Sequence, residues 1–177
     1  ATVREVGLDR LSWEYHEIIR AGGGKQGEAA LQRVVKEEKG KYLVVVEGAI
    51  PKGDGGVYCC VGGRTALDIA REVCRSAAAT IAVGACAWDG GLVAAHPNPT
   101  GAVGLHEAVP GLTLVNMPGC PQNPANTVAV LVHYLTFGEL PATDQYHRPL
   151  FAYGRIIHDQ CERRAHYDAG RYVEEWG

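Results

Sequence analysis

The apolar residues of this chain are grouped into short runs, and two patterns of grouping alternate along the sequence. Continuous apolar runs, which are typical of strands covered on both faces of a sheet, predict strands at residues 42–46, 80–84 and 112–116. Apolar residues at helical spacing predict helices at residues 27–39, 65–79 and 123–137. Residues 8–15 have only weak strand character. This alternation predicts an α/β fold, with a mostly parallel sheet and helices on both of its faces.

Residues that favour helix ends mark the limits of the predicted helices. Thr65 and Asp68 have the spacing of a capping box at the start of the second helix. Asn123 is suited to cap the third helix, Pro124 to be its first residue and Gly138 to end it. The local signals and the apolar pattern therefore agree on where these helices lie.

The charge of the chain argues against nucleic-acid binding. The 177 residues include 17 Lys and Arg and 20 Asp and Glu, which gives a formal net charge of −3, and the basic residues do not cluster strongly. No apolar run approaches the length that a membrane span needs. Ala1 starts no signal-peptide pattern. We therefore expect no nucleic-acid partner and no membrane span within this sequence.

The character of the sequence changes near residue 144. Residues 1–143 contain all the predicted strands and helices. Residues 144–177 are charged and rich in His and Tyr, and they have few apolar runs. We predict an α/β domain over residues 1–143 and a largely irregular carboxy-terminal extension over residues 144–177, which lies on another surface.

A residue with a carboxylate or a thiol follows each predicted strand closely. Glu47 follows the first strand, Cys86 the second and Cys120 the third, and glycines or prolines surround each of them. Parallel strands end at one edge of a sheet, where ligands bind in open α/β folds, so we expect these three side chains to meet. The prolines around Cys120 also restrict the backbone that carries it. Two thiols held at one edge indicate a metal site.

The other candidate ligands carry weaker signals. His158 and Cys161 are three positions apart in the sequence HDQC, so they can share one face of a helical turn and one metal ion. That spacing is common on surface helices, and it does not connect this pair to the first site. The remaining cysteines are predicted to be buried thiols, because free cysteine is among the most buried residue types; they are Cys59, Cys60 and Cys74.

The residues alone leave other functions open. A structural zinc protein would use Cys86, Cys120 and the pair His158 and Cys161, since three thiolates and one imidazole suit tetrahedral zinc. A flavodoxin-like module would bind a mononucleotide at the strand edge, but the sequence has no convincing phosphate-binding loop. GGGK at residues 22–25 lacks the first glycine of a P-loop.

Four motifs, in this order, resemble one known family. VVVEGAIP, VGACAWDGG, NMPGCPQNP and IIHDQCERRAHYDAG resemble the small subunit of nickel–iron hydrogenases. Sequence segments such as SWEYHE and RPLFAYGRIIH resemble the membrane-associated uptake class, and the resemblance runs over essentially the whole chain. The cluster-carrying subunit of respiratory complex I, a remote relative, shares the GxCA and PGCP motifs, but it is not expected to contain the HDQCERR segment.

The resemblance implies a flavodoxin-like domain and three iron–sulfur clusters. The proximal 4Fe-4S cluster would take two cysteines from a CxxC motif together with Cys86 and Cys120, and Glu47 would lie beside it. The distal 4Fe-4S cluster would take His158 and Cys161, where histidine in place of a thiolate removes a negative charge. All ligands of the medial 3Fe-4S cluster would lie outside this sequence.

The resemblance also implies partners and a location. H2 oxidation would occur at a nickel–iron centre in a hydrogenase large subunit, which forms an obligate heterodimer with this chain. This chain would contribute no catalytic residue and would pass electrons outward to a membrane cytochrome b or another acceptor, at the periplasmic face of the cytoplasmic membrane. The CxxC segment and the cysteine-rich carboxy-terminal region are missing, so we expect this sequence to be the middle of a longer protein rather than a cluster-deficient form.

Overall fold

A three-stranded parallel sheet forms the centre of the fold. The computed structural model of the chain describes residues 10–19 and 21–176. Its strands are β1 (Leu43–Glu47), β2 (Ile50–Pro51), β3 (Cys60–Val61), β4 (Arg64–Thr65), β5 (Ala79–Val83), β6 (Ala102–Val103) and β7 (Leu114–Met117). Its helices are α1 (Gly24–Glu37), α2 (Ala66–Ser76), α3 (Gly84–Asp89), α4 (Leu105–Ala108), α5 (Pro124–Phe137), α6 (Leu150–Tyr153) and α7 (Arg164–Asp168). The central sheet has the order β1–β5–β7, and both of its pairings are parallel, as predicted.

Helices cover both faces of this sheet. On one face, Leu67 of α2 and Leu105 of α4 share a buried cluster with Ala82 of β5. On the other face, Val130 of α5 packs in a cluster with Ile81 of β5. Ile81 and Ala82 join different clusters because successive residues of a strand point to opposite faces. The predicted α/β class, with helices on both faces, is confirmed.

The first strand is less covered than predicted. Val45 of β1 is 53% exposed, whereas Ile81, its register partner on β5, is fully buried. The helix on this face, α5, packs over β5 and β7 instead. The prediction that residues 42–46 form a strand covered on both faces is therefore wrong for one face of β1, because β1 lies at the edge of the sheet.

The caps predicted at Thr65, Asn123 and Gly138 are confirmed, but only the Thr65 half of the predicted capping box forms, because the Asp68 carboxylate pairs with Arg71. Thr65 Oγ1 accepts a hydrogen bond from the amide of Asp68 at 3.1 Å and caps α2. Asn123 Oδ1 accepts one from the amide of Ala125 at 3.0 Å at the start of α5. Gly138 ends α5 in the left-handed region with φ 74°. Each cap satisfies a backbone group that the helix cannot pair internally.

Several boundaries differ from the predicted ones by a few residues. Helix α1 begins at Gly24, three residues earlier than predicted, and ends at Glu37. Helix α2 ends at Ser76 rather than at residue 79, because Ala79 already pairs in the sheet. Residues 11–15 adopt no regular structure, so their weak strand signal was misleading. Residues 8 and 9 of that prediction lie outside the described residues.

The beginning of the predicted extension is attached to β7. The carbonyl of His147 accepts a hydrogen bond from the amide of Asn116 at 2.8 Å, and the carbonyl of Tyr146 accepts one from Asn116 Nδ2 at 2.8 Å. Thr143 and Pro149 form an isolated antiparallel bridge. Beyond this turn, residues 154–176 are exposed except for Cys161, which is partly buried. The division into domains at residues 143 and 144 stays a prediction.

The helices of the described ranges are short. The longest, α1 and α5, contain 14 residues each. A membrane span needs about 20 apolar residues. Within residues 10–19 and 21–176, no helix has the length and apolar character to cross a membrane.

Candidate metal centre

The three candidate residues lie at, or three positions after, strand residues that are paired in register across the sheet. Glu47 of β1 pairs in register with Val83 of β5, and Val83 pairs with Met117 of β7. Cys86 follows Val83 by three positions, and Cys120 follows Met117 by three positions. The parallel register therefore brings both thiols and the carboxylate to the same edge of the sheet, which is the edge where open α/β folds bind ligands.

A hydrogen bond joins the two cysteine-bearing segments directly. The amide of Ala85 donates to the carbonyl of Gly119 at 2.8 Å, and these residues immediately precede Cys86 and Cys120. Gly84 has φ 88°, a conformation that only glycine adopts without strain, and a β-carbon built on it would lie 3.6 Å from the carbonyl oxygen of Gly119. Glycine is therefore favoured at position 84 by its positive φ, whereas the distance to Gly119 would accommodate a β-carbon as an ordinary contact.

The two thiols are held in different ways. Cys86 is partly buried in α3, and its carbonyl accepts the amide of Gly90, which closes this short helix. Cys120 is exposed in the loop after β7. That loop is held by Tyr153, whose hydroxyl donates to the carbonyl of Pro118 at 2.9 Å. Both cysteines are free thiols on fixed backbone, which suits them to bind a metal ion.

Glu47 is exposed at the carboxyl end of β1. Within the described part of the chain, its carboxylate takes part in no hydrogen bond or ion pair. A carboxylate at the ligand edge without a partner is available to a group bound there. Its pairing with Val83 places it at the same end of the sheet as α3, and its exposure places it outside the core.

His158 and Cys161 form a separate pair on the extension. His158 is exposed on the single 3₁₀ turn Ile157–Gln160, and Cys161 follows that turn in an extended conformation. Arg164 fixes the turn, since its Nη1 donates to the carbonyl of His158 at 3.3 Å and lies 3.8 Å from Asp159 Oδ1. Because Cys161 lies outside the turn, the two residues are not carried by one continuous helical turn, and their pairing at one metal stays a prediction.

The four candidate ligands do not form one complete metal site. Among residues 10–19 and 21–176, no three side chains of His, Cys, Asp or Glu lie close enough together to hold a metal ion. The arrangement of three thiolates and one imidazole that structural zinc requires is therefore not assembled here. Cys86 and Cys120 instead offer two thiols at one edge, which fits one half of a four-thiolate iron–sulfur site.

The remaining cysteines differ in their surroundings. Cys74 is buried in α2 at 3% exposure, as predicted, and burial raises the pKa of its thiol to about 11 although Thr80 hydrogen-bonds to it. Cys59 is only partly buried. Cys60 is exposed, so the prediction of a buried thiol is wrong at this position, because it lies on the two-stranded hairpin β3–β4 outside the core. Its Sγ lies 3.4 Å from the carbonyl of Val57.

Sequence reasoning missed one cluster beside the site. The guanidinium of Arg148 lies 5.9 Å from the ring centroid of Trp88, 5.1 Å from that of Tyr146 and 6.0 Å from that of Tyr153. Trp88 belongs to the same helix as Cys86. No local signal joins these residues, because the turn that carries Arg148 follows Trp88 only after two strands and two helices.

Comparison with known proteins shows the family of this chain. Residues 3–134 match the family described as "NADH ubiquinone oxidoreductase, 20 Kd subunit". The chain is 48% identical over 176 residues to the Hydrogenase-2 small chain of Escherichia coli, which covers 99% of this chain and 47% of that relative. It is 44% identical over 172 residues to the quinone-reactive Ni/Fe-hydrogenase small chain of Wolinella succinogenes, covering 96% of this chain and 48% of the relative.

A solved structure shares the fold. The Ni-Fe-Se hydrogenase of Desulfomicrobium baculatum, in a reduced, active form, superposes with a TM-score of 0.90 at 32% identity, covering 98% of this chain and 69% of that one. The chain spans about half the length of the curated relatives it matches. It belongs to the family of the 20-kDa NADH ubiquinone oxidoreductase subunit and, within it, to the small subunits of nickel–iron hydrogenases.

Proposed function

We propose that this chain is part of an electron-transfer subunit of a nickel–iron hydrogenase. The large subunit converts H2 to two protons and two electrons, and this subunit passes the electrons to an external acceptor. The observation that carries the proposal is the hydrogen bond from Ala85 to Gly119, which joins the helix that carries Cys86 to the loop that carries Cys120 at the ligand edge. Family membership supports the electron-transfer role, and this hydrogen bond supports the edge of the sheet as the position of a cluster.

Cys86 and Cys120 are two of the thiolate ligands of the proximal 4Fe-4S cluster. When bound, iron–sulfur clusters supply sites that accept and donate single electrons. The chain contributes the backbone positions of both thiols. Prolines restrict the Cys120 loop, and Gly84 and Gly91 allow the positive φ values of the backbone beside Cys86. Glu47 lies at the same edge, where its carboxylate influences the charge near the cluster or moves a proton. The CxxC motif of the family would supply the other two ligands.

His158 and Cys161 are ligands of a distal 4Fe-4S cluster. The exposure of His158 and the only partial burial of Cys161 support this role, because a cluster that delivers electrons to an acceptor needs a path close to the surface. A neutral imidazole in place of a thiolate removes one negative charge from the site and so raises its potential. The medial 3Fe-4S cluster takes its ligands from outside these residues.

The large subunit docks on the edge that carries Cys86 and Cys120. The 3₁₀ turn Gly91–Ala94 follows α3 directly, and it exposes Leu92 by 88% and Val93 by 55%. This turn is held in place, since Asp89 Oδ1 accepts the amide of Gly91 at 2.8 Å. Exposed apolar side chains on a fixed turn are suited to bind a partner protein without a large ordering cost.

The acceptor is a membrane component, and the complex lies at the periplasmic face of the cytoplasmic membrane. The quinone-reactive relative supports an acceptor of this kind, such as a cytochrome b that delivers electrons to quinone. Resemblance to the uptake class supports the periplasmic location.

Iron analysis of the heterodimer tests the proposal. The full-length small subunit, purified anaerobically with its large subunit, should contain iron and acid-labile sulfide for several clusters per chain. Cys120→Ala should lose iron and H2 oxidation, whereas Cys74→Ala should keep its iron, because Cys74 lies in the core away from the ligand edge. Wild-type iron and activity in the Cys120→Ala protein would contradict the proposal.

A further inference from the structure

A compact turn beside β7 is organised around one ion pair. Nε and Nη2 of Arg148 each lie 2.7 Å from Oδ2 of Asp144. The other oxygen, Oδ1, accepts the amides of Tyr146 and Arg148 at 2.9 Å each. Burial would raise the pKa of Asp144, but these hydrogen bonds and the charge of Arg148 hold that pKa below its usual value. The carboxylate therefore fixes both the turn and the direction of the guanidinium.

The turn is also tied to the central sheet. The amide and the side-chain Nδ2 of Asn116 donate to the carbonyls of His147 and Tyr146, each at 2.8 Å. Asn116 is 1% exposed on β7, next to the residue that ends the strand. The position of Arg148 is thus set by the strand that leads to Cys120, through contacts on the strand itself.

The guanidinium of Arg148 reaches both cysteine-bearing segments. Its contact with the ring of Trp88, at 5.9 Å, is made on α3, two positions after Cys86. It also contacts the ring of Tyr153, at 6.0 Å. The hydroxyl of Tyr153 donates to the carbonyl of Pro118, which lies two positions before Cys120. A guanidinium plane stacks on aromatic rings in a way that an ammonium group does not reproduce.

We propose that Arg148 is a positioning residue, which fixes the Cys86 helix against the Cys120 loop through Trp88 and Tyr153. The inference rests on the proposed function in that the positioned thiols are taken as cluster ligands. Arg148 touches no ligand atom itself. Its effect on the potential of the cluster arises from the placement of the thiols and from a positive charge nearby.

Two substitutions separate placement from charge. Arg148→Lys keeps the positive charge but loses the planar group that stacks on the rings, and Tyr153→Phe keeps Arg148 but removes the hydrogen bond to Pro118. Arg71→Lys is the matched control, because it also keeps the positive charge, and Arg71 forms an exposed ion pair with Asp68 within α2. All three proteins are prepared as full-length small subunit in complex with the large subunit.

Hydrogen exchange at the amide of Ala85 is the first readout, because this amide bonds to Gly119 and reports the contact between the two loops without reference to iron. We expect at least tenfold faster exchange in Arg148→Lys and in Tyr153→Phe, and unchanged exchange in Arg71→Lys. The second readout is the midpoint potential of the proximal cluster, followed by its EPR signal during redox titration. We expect a shifted potential in both site variants.

The outcomes distinguish this inference from the proposed function. Unchanged exchange at Ala85 in both site variants would overturn the positioning role, whatever the iron content. A potential that shifts in Tyr153→Phe but stays at the wild-type value in Arg148→Lys would also overturn it, because charge alone would then suffice at Arg148. Faster exchange in a protein that holds no cluster would support the positioning of the loops and refute the proposed function instead.

Discussion

Gly91 lies so close to Cys86 that a β-carbon built on it would stand 2.9 Å from Sγ of Cys86. That distance is shorter than any ordinary contact between these atoms, so the thiol would have to move. Gly91→Ala should therefore displace Cys86 and reduce the iron content of the heterodimer by at least half. The measurement is iron and acid-labile sulfide per small subunit after anaerobic purification.

Gly40→Ala provides the control for backbone strain. Gly91 and Gly40 both have positive φ, 55° and 75°, but a β-carbon at Gly40 would meet no atom within 4 Å. Both substitutions should cost about 1 kcal/mol of stability or somewhat more, because alanine is strained at positive φ. Equal iron loss in the two variants would show that strain, rather than the contact with Cys86, is responsible.

The sequence was sufficient to predict the sheet, because its signals were local. The apolar runs, the caps at Thr65 and Asn123, and the cysteines after the strands each depend on neighbouring residues, and the parallel direction of the strands followed from the strand–helix alternation. The exposure of Val45 was not predictable in the same way. It depends on where α5 packs, which the periodicity of residues 42–46 does not encode.

The surroundings of the site depend on contacts between distant segments. Trp88 and Arg148 meet only because the turn after α5 folds back onto β7 through Asn116. The exposure of Cys60 follows from its place on a surface hairpin, although cysteine is usually buried. Residue type and spacing therefore identified the candidate ligands, but they did not identify the residues that hold those ligands in place.

Cys74 should make the stability of the fold depend on pH in alkaline solution. Its thiol has a pKa of about 11 in the folded chain against 9.0 for the ordinary group. The unfolded chain therefore releases this proton first, and stability that is complete below pH 9 is lost as the pH rises through 11. The shift corresponds to roughly 2–3 kcal/mol. Denaturant unfolding of the wild type and of Cys74→Ala at pH 8 and at pH 10.5 measures it.

The difference between the two proteins isolates Cys74 from other groups that titrate in this range. We expect the wild type to lose more stability than Cys74→Ala between these pH values, although the variant is less stable at pH 8 because it leaves a small cavity. Identical losses would mean that the folded thiol ionises as readily as the unfolded one. Alkylation by iodoacetamide at pH 8 should accordingly modify exposed Cys60 much faster than Cys74.

Leu92→Asp should weaken the complex with the large subunit. Burying a leucine at an interface contributes about 1.5–3 kcal/mol, and a buried unpaired carboxylate adds a further penalty. We therefore expect at least tenfold weaker association. The measurement is the dissociation constant of the full-length subunits by analytical ultracentrifugation or by surface-immobilised binding under anaerobic conditions.

Leu135→Asp is the matched control for this substitution. Leu135 is 46% exposed near the end of α5, and α5 runs back from the ligand edge toward the opposite end of the sheet. It should leave the dissociation constant within a factor of about three, which is less than 1 kcal/mol. If both variants weaken the complex equally, the large subunit does not dock specifically at the turn that carries Leu92.

Glu47→Gln should raise the midpoint potential of the proximal cluster without destabilising the fold. The carboxylate is exposed at the ligand edge and has no hydrogen-bond or ion-pair partner in the described part of the chain, so its loss should change the free energy of unfolding by less than about 0.5 kcal/mol. Removing a negative charge beside a cluster favours the reduced state, which carries one more negative charge. Redox titration followed by EPR measures the potential.

Glu37→Gln changes the net charge by the same amount at the other end of the sheet. Glu37 ends α1, just before the chain enters β1, whereas Glu47 ends β1 itself. Charges farther apart than a Debye length of about 8 Å are largely screened at physiological salt, so Glu37→Gln should leave the potential at the wild-type value. A positive shift in Glu47→Gln alone would place its carboxylate in the field of the cluster. The same potential in both variants and the wild type would mean that Glu47 does not influence electron transfer through its charge.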